Sequence, residues 1–270
     1  MANKQASGDM SVFTIGGSSM LEVIKDVTLE WNYAEVDGTA LAVEGRQPQT
    51  TRGGGSITTG IRSTIADGTR VTNLECSALS IGGTDFKPYI RRLQITGDNE
   101  TEDTEGATGA TQWNQYKGKK SLMAEAELWI PSVNGTGLSL VAFSTTRATR
   151  DLVISFTING VVCTFAATIT RVQHAFDEGD WQVYSVTLKG KASDTDPFPT
   201  APTGSTSLLE KAMNTPGAVY ALVVTSHATE GVTYSVNGVI SNYSFEIAEN
   251  TLVNTKYTFL SQGPMTVTAT

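Results

Sequence analysis

The chain is poor in the residues that usually carry catalysis, cross-links or membrane spans. It has two histidines, His174 and His227, and two cysteines, Cys76 and Cys163, in 270 residues. Two distant cysteines do not make a disulfide framework, and buried thiols in a reducing compartment are the plain expectation. No window is long and apolar enough to span a bilayer, and the opening MANKQASGDMSVFTIGG lacks the apolar core of a signal peptide. The N-x-S/T matches at Asn99, Asn134 and Asn242 therefore carry little weight. A formal charge of −8 argues against gripping nucleic acid, an affinity that rests on Lys and Arg neutralising phosphates. It does not argue against a protein that nucleic acid slides past.

The chemistry-bearing motifs are missing as well. No serine sits in a G-x-S-x-G elbow, neither cysteine has a histidine near it in sequence, and both histidines lie in strand-like stretches. An enzyme is not expected. The densest acidic run holds Asp98, Glu100, Glu102, Asp103 and Glu105. A calcium loop also needs a turn glycine and a closing bidentate glutamate at fixed places, and these are absent, so a solvated loop face is expected. Gly53-Gly54-Gly55 precedes an alternating strand rather than a helix, so it makes no phosphate cradle. No metal and no cofactor is expected.

What the chain does have is alternation. From Val232 to Met265 apolar residues recur at Tyr234, Val236, Ile240, Tyr243, Phe245 and Ile247, break at Glu249-Asn250-Thr251, and resume at Val253, Tyr257 and Phe259. That is an antiparallel hairpin with one buried face, closed by Gly263-Pro264. Residues 138–188 repeat the pattern 71 positions earlier: Gly160 matches Gly231, Val161 Val232, Ile169 Ile240 and Thr187 Thr258, with Val153 against Val224.

The opening repeats too. Phe13, Ile15, Gly16, Gly17, Ile24, Val27 and Leu29 match Leu79, Ile81, Gly82, Gly83, Ile90, Leu93 and Ile95 at an offset of 66. A following strand matches at 65, with Ser56 against Ser121 and Ile57 against Leu122. Between them lie two polar segments, Asn32–Gly55 and Thr96–Lys117, which read as long loops ordered by a partner. Strands at Ser56–Arg62 and Thr69–Glu75 read as joined by a turn at Asp67-Gly68. Short helices are expected at Leu138–Ser144 and Ser207–Asn214, the second with Leu208, Leu209, Ala212 and Met213 on one apolar face. Residues 193–206, with three prolines, read as a linker.

The order first half, first half, second half, second half predicts a domain inserted in a domain, with an interleaved pairing of the halves as the alternative. The outer one takes residues 1–76 plus 204–270 and the inner one 77–203. The fold class expected is all-β with minor α: antiparallel sandwich or barrel domains, two copies, each with a short flanking helix. Arg46, Arg52, Lys117, Lys119 and Lys120 place positive charge at equivalent ends of the two polar segments, suited to an acidic neighbouring subunit. Trp113 and Tyr116 are interface anchors on the same reasoning.

With these hairpins, loops and helices the chain resembles a bacteriophage major tail tube protein. The resemblance rests on VFTIGGSSMLEVIKDVTLEW at the start and GVISNYSFEIAENTLVNTKYTFLSQGPM at the end, echoed in ATITRVQHAFDEGDWQVYSVTLKGKA. It implies a structural virion protein, made in the host bacterial cytoplasm, whose copies form stacked rings around a lumen. DNA passes through that lumen without specific binding, and the partners are the protein itself and other tail proteins. Family members commonly carry one such domain in hexameric rings; two domains per chain imply a trimeric ring with pseudo-sixfold symmetry, the hexamer being the alternative. No membrane is involved. A carbohydrate-binding or adhesive β-sandwich and a capsid decoration protein are the rival expectations.

Overall fold

The computed structural model describes residues 10–21, 24–37, 48–62, 74–81, 84–103, 114–131, 152–158, 161–176, 181–190, 208–226, 231–248 and 254–269. These form an antiparallel, almost entirely β structure. The strands are β1 (Val12–Ile15), β2 (Ser18–Ser19), β3 (Ile24–Asp37), β4 (Pro48–Arg62), β5 (Leu74–Ile81), β6 (Thr84–Asp85), β7 (Ile90–Asp103) and β8 (Asn114–Pro131). They continue with β9 (Leu152–Ile158), β10 (Val161–Phe176), β11 (Trp181–Gly190), β12 (Val219–Thr225), β13 (Val232–Ala248), β14 (Asn254–Ser261) and β15 (Thr266–Ala269). Besides a 3-10 turn at Lys87–Tyr89, the described residues hold one α-helix, α1 (Leu208–Asn214), which buries Leu208, Leu209, Ala212 and Met213, the face expected from its spacing. The helix expected at Leu138–Ser144, the turn at Asp67-Gly68 and the Pro-rich linker lie outside the described residues.

Hydrogen bonding runs along two paths with the same order of elements. One is β2-β1-β12-β13-β14-β4-β3 and the other β6-β5-β9-β10-β11-β8-β7. N-terminal strands thus pair with C-terminal ones around the middle of the chain. β5 straddles the boundary expected at residue 77, and all its pairings are within the second path. β4 and β5 do not pair with each other and belong to different paths, while most of the strand expected at Thr69–Glu75 lies outside the described residues.

The likeness extends to irregularities. The ladder of β13 with β14 slips between Ile240 and Asn242, and that of β10 with β11 between Ile169 and Arg171. Each slip leaves one extra residue, Ser241 or Thr170, whose hydroxyl donates to a carbonyl of the facing strand, Thr258 or Thr187, at 3.2 Å. The β3–β4 ladder slips at Ile24/Asp26 and Tyr33/Glu35, the β7–β8 ladder at Ile90/Arg92 and Asn99/Thr101.

Two sequence offsets need correction. Ile57 opposes Leu29 and Ala124 opposes Ile95, so the fourth strand repeats at 67 rather than 65. The cause is one extra residue in the bulge of β8, where Lys117–Lys119 stand in place of Thr51 and Arg52 of β4 and Gly118 adopts a φ of 84°. Val224 does not correspond to Val153: the link between β12 and β13 is longer than the one between β9 and β10, which moves the preceding strand out of step. Both offsets assumed equal turn lengths.

The polar segments are not loops for most of their length. β3 and β4 pair out to Asp37 and Pro48, and β7 and β8 out to Asp103 and Asn114. The undescribed tips are residues 38–47 and 104–113. Apolar alternation fails along these arms because polar residues such as Glu100 and Glu102 occupy them, exposed to solvent, while ladder hydrogen bonds still hold them as strands.

At the centre lies β13. One of its edges pairs first with β12, along Val219–Thr225, and then with β7, along Arg92–Asp98. The opposite edge takes β15 and then β14. β15, beyond Pro264, was not expected from the sequence. Tyr243, Phe245, Tyr257 and Phe259 are at most 1 % exposed and anchor the core beneath, each burial worth about 1.5–3 kcal/mol. Burial drives the Tyr220 hydroxyl up to about 12, and that of Tyr257 upward as well.

Where β7 meets β13, Gly97 lies opposite Tyr243, and a Cβ at residue 97 would overlap the tyrosine ring. Gly97→Ala should lower the free energy of unfolding in urea by about 3 kcal/mol, as overpacking in a closed core does. Gly263→Ala, at a position with nothing within 4 Å of the added carbon, should change it by less than about 0.5 kcal/mol.

Candidate assembly surfaces

Eight strands form one continuous run, β3-β4-β14-β13-β7-β8-β11-β10, made of two four-stranded blocks joined where β13 meets β7. Alternation gives the run two unlike faces. One is apolar and closed: Ile57, Phe259, Tyr243, Phe245, Leu93, Ile95, Ala124, Leu128, Val186 and Leu188 are all buried. The other is polar. It carries Glu30, Asp98, Glu125, Glu127 and Glu246, with Arg92, Arg171, Lys189 and Lys256 among threonines and serines.

The charges on this face compensate one another. Arg92 donates from Nε to Glu246 at 2.8 Å and from a terminal nitrogen to its other oxygen at 3.0 Å, across the joint between the blocks. Arg92 is held above the ordinary arginine value chiefly by its hydrogen bond and charge pairing with Glu246, then by Glu127 and Glu125. Both side chains are well exposed, so the pair sets register and cancels charge more than it stabilises. Over Ser185 and Thr187 the face dips into a shallow groove of about 180 Å³, flanked by Arg92, Glu125 and Arg171.

The joint has one buried polar fixture. Asn99, 2 % exposed, donates through its amide nitrogen to the carbonyl of Ile240 at 3.0 Å and to that of Ala212, in α1, at 3.3 Å. The Ile240 carbonyl lies at the slip in the β13 ladder, where regular pairing is interrupted. Asn99 thus ties β7, β13 and the helix together. In the sequence it stood out only as a glycosylation match, and no local pattern marks it as structural.

The residues singled out from sequence fall in three groups. Arg46, Glu105 and Trp113 lie outside the described residues. Arg52, Asp103, Tyr116 and Lys119 are placed only as strand positions on the two arms. Arg52 and Lys119 fall within equivalent slips of those arms, so they do occupy matching positions. Asp98, Glu100, Glu102 and Lys120 are described on the β7–β8 arm. Glu102 is paired with Lys117 of its own hairpin at 3.4 Å. That supersedes the expectation of a solvated loop run: these carboxylates are strand residues. Asp98 opposes Ser121 and Asn242 on the polar face.

Residues the sequence reading passed over include Trp129 and Trp181, which are 37 % and 42 % exposed. They occupy neighbouring strands at one end of the polar face, with Pro131 opposite Trp181 and Val183 opposite Trp129. Arg91 sits 5.3 Å from the Trp129 ring, whose indole nitrogen donates to Glu127. The period-two pattern Met123, Glu125, Glu127, Trp129 was the available signal.

His174 stacks on Tyr184 at 4.2 Å, half-buried in the sheet, and His227 lies outside the described residues. Cys76 and Cys163 both oppose Phe156, one on each side. Two strand spacings separate their backbones by about 9.5 Å, beyond the roughly 7 Å a disulfide can span. Among the described residues no group of three His, Cys, Asp or Glu side chains is placed to hold a metal ion, and no helix is long and apolar enough to cross a membrane. No family model, curated protein or solved structure matches this chain.

Asn99→Ala should therefore cost about 1–3 kcal/mol in urea unfolding, because it strips the amide donor from the buried Ile240 and Ala212 carbonyls. Asn99→Asp should cost more, since a carboxylate would face those carbonyls. A loss under about 0.5 kcal/mol for both would show that the fixture is dispensable.

Proposed function

We propose that the chain is a structural tube protein of the kind that forms the tail of long-tailed phages. Copies join side by side into rings, the rings stack, and DNA passes through the lumen during ejection into the host. The observation that carries this reading is the eight-stranded run with one closed apolar face and one polar face, where the described residues place no strand beside the outer edge of β3 or beside β10 beyond its pairing with β9, which stops at Ala167. Such a sheet buries its remaining edges by adding to further copies, and ring closure abolishes edges altogether.

The polar face supplies the lumen. Its basic groups are balanced by a small excess of carboxylates, so phosphates find no patch to settle on. Two four-stranded blocks in matching register behave as two copies of one tube unit. Three chains then make a ring of pseudo-sixfold symmetry with roughly 24 strands, more than the 16–18 of porins that already leave an aqueous channel. The arms β3–β4 and β7–β8 are suited to reach an adjacent ring. In a virion the protein would contact itself and other tail proteins.

A carbohydrate-binding module is the second reading, favoured by the exposed pair Trp129 and Trp181. Negative-stain electron microscopy with mass measurement separates these. Stacked rings with a central hole and three copies each are expected. Six copies per ring would retain the tube and remove the two-unit reading, and closed trimers that never stack would indicate a capsid decoration protein. Monomers at every concentration and salt, with binding on a glycan array, would replace the tube by the carbohydrate module.

A further inference from the structure

The joint inside the chain specifies a joint between chains. β7 adds to β13 through seven opposed pairs, from Asn242–Asp98 to Ala248–Arg92. The strands that correspond to these by ladder register are β3 for β7 and β10 for β13. Among the described residues β3 pairs only with β4, and β10 beyond Ala167 pairs only with β11. So one block offers the inserting edge and the other the receiving edge, at opposite ends of the eight-stranded run.

We infer that the receiving edge of β10, from Arg171 to Phe176, takes β3 of a second copy of this chain in antiparallel pairing at the register of the internal joint. This rests on the tube reading for its partner, and adds which strands meet and in what alignment. Carrying the offsets over places Gln173 opposite Glu30, Ala175 opposite Thr28, His174 opposite Leu29, and Val172 opposite Trp31.

Three observations support the match. Leu93, Ile95 and Tyr243, which form the internal joint, are at most 1 % exposed, whereas Val27, Leu29 and Val172 at the corresponding positions are only half-buried. A second copy would complete that burial. The residue sizes are compatible: glycine opposes tyrosine in the internal joint, and the carried-over register would set tryptophan against valine, with the large residue on the other strand. Charge agrees too, since exposed Arg171 would stand diagonal to exposed Glu30, within side-chain reach on the polar face. The contact is heterologous, so repeating it yields a ring when the rotation closes.

The test is register-specific cross-linking. The variant E30C/Q173C places thiols at directly opposed positions, where Cβ atoms lie about 5 Å apart. E30C/A175C places them diagonally, at about 7 Å, too far for a disulfide. The parent chain, with Cys76 and Cys163, runs alongside as background. Mild oxidation should link E30C/Q173C into a covalent ladder that stops at one ring, with at least tenfold less product from E30C/A175C. Rings or tubes seen by microscopy without that product, or with equal product from both variants, would overturn this joint while leaving the tube reading intact. Linked closed rings that never stack would uphold the joint and end the tube reading. Chains that stay monomeric and unlinked would overturn both.

Discussion

The structure depends on one strand serving four others. β13 holds β12 and β7 along one edge and β15 and β14 along the other. A single straight ladder could not hand over from β12 to β7 without leaving backbone groups unpaired in a closed interior, which is costly. The extra residue at Ser241 and the amide of Asn99 resolve this. The Ser241 hydroxyl bonds back to the Thr258 carbonyl, and Asn99 takes up the Ile240 carbonyl beside the handover. Everything outward from that point, including the union of the two four-stranded blocks, relies on it.

The counterpart strand β10 carries the same irregularity without the same neighbour. It has the slip at Thr170 and its hydroxyl contact with the Thr187 carbonyl. In the segment that corresponds to the β7 contact, the described residues place no strand beside it. A strand shaped for a handover, with no second strand beside it among the described residues, is the physical basis for proposing that edge as a contact with another copy. On the proposed reading the polar face, with Arg92 neutralised by Glu246, is the continuous inner surface of the assembly.

Much of the β architecture was legible in the sequence because buried faces alternate. The C-terminal hairpin and the apolar face of α1 were read from residues alone. The alternation even records the bulge, since the apolar positions change parity between Ile240 and Tyr243. The arms were not legible, because strands whose side chains are polar lose the hydrophobic period while keeping the ladder. Nor was Asn99, whose role depends on two carbonyls more than a hundred residues away. The carboxylates read as a solvated loop face, such as Glu102, proved in part to be paired within their own hairpin. The edges that matter were visible only once strand pairing was known.

Hydrogen–deuterium exchange on free and assembled protein tests the central claim most directly. The account predicts that outward-facing amides of residues 27–32 and 171–176 exchange fast in the free chain and become protected on assembly. Those of residues 92–98 and 242–248, already paired within the chain, should be protected in both states. Assembled protein in which the β3 and β10 segments still exchange as in the free chain would contradict the account.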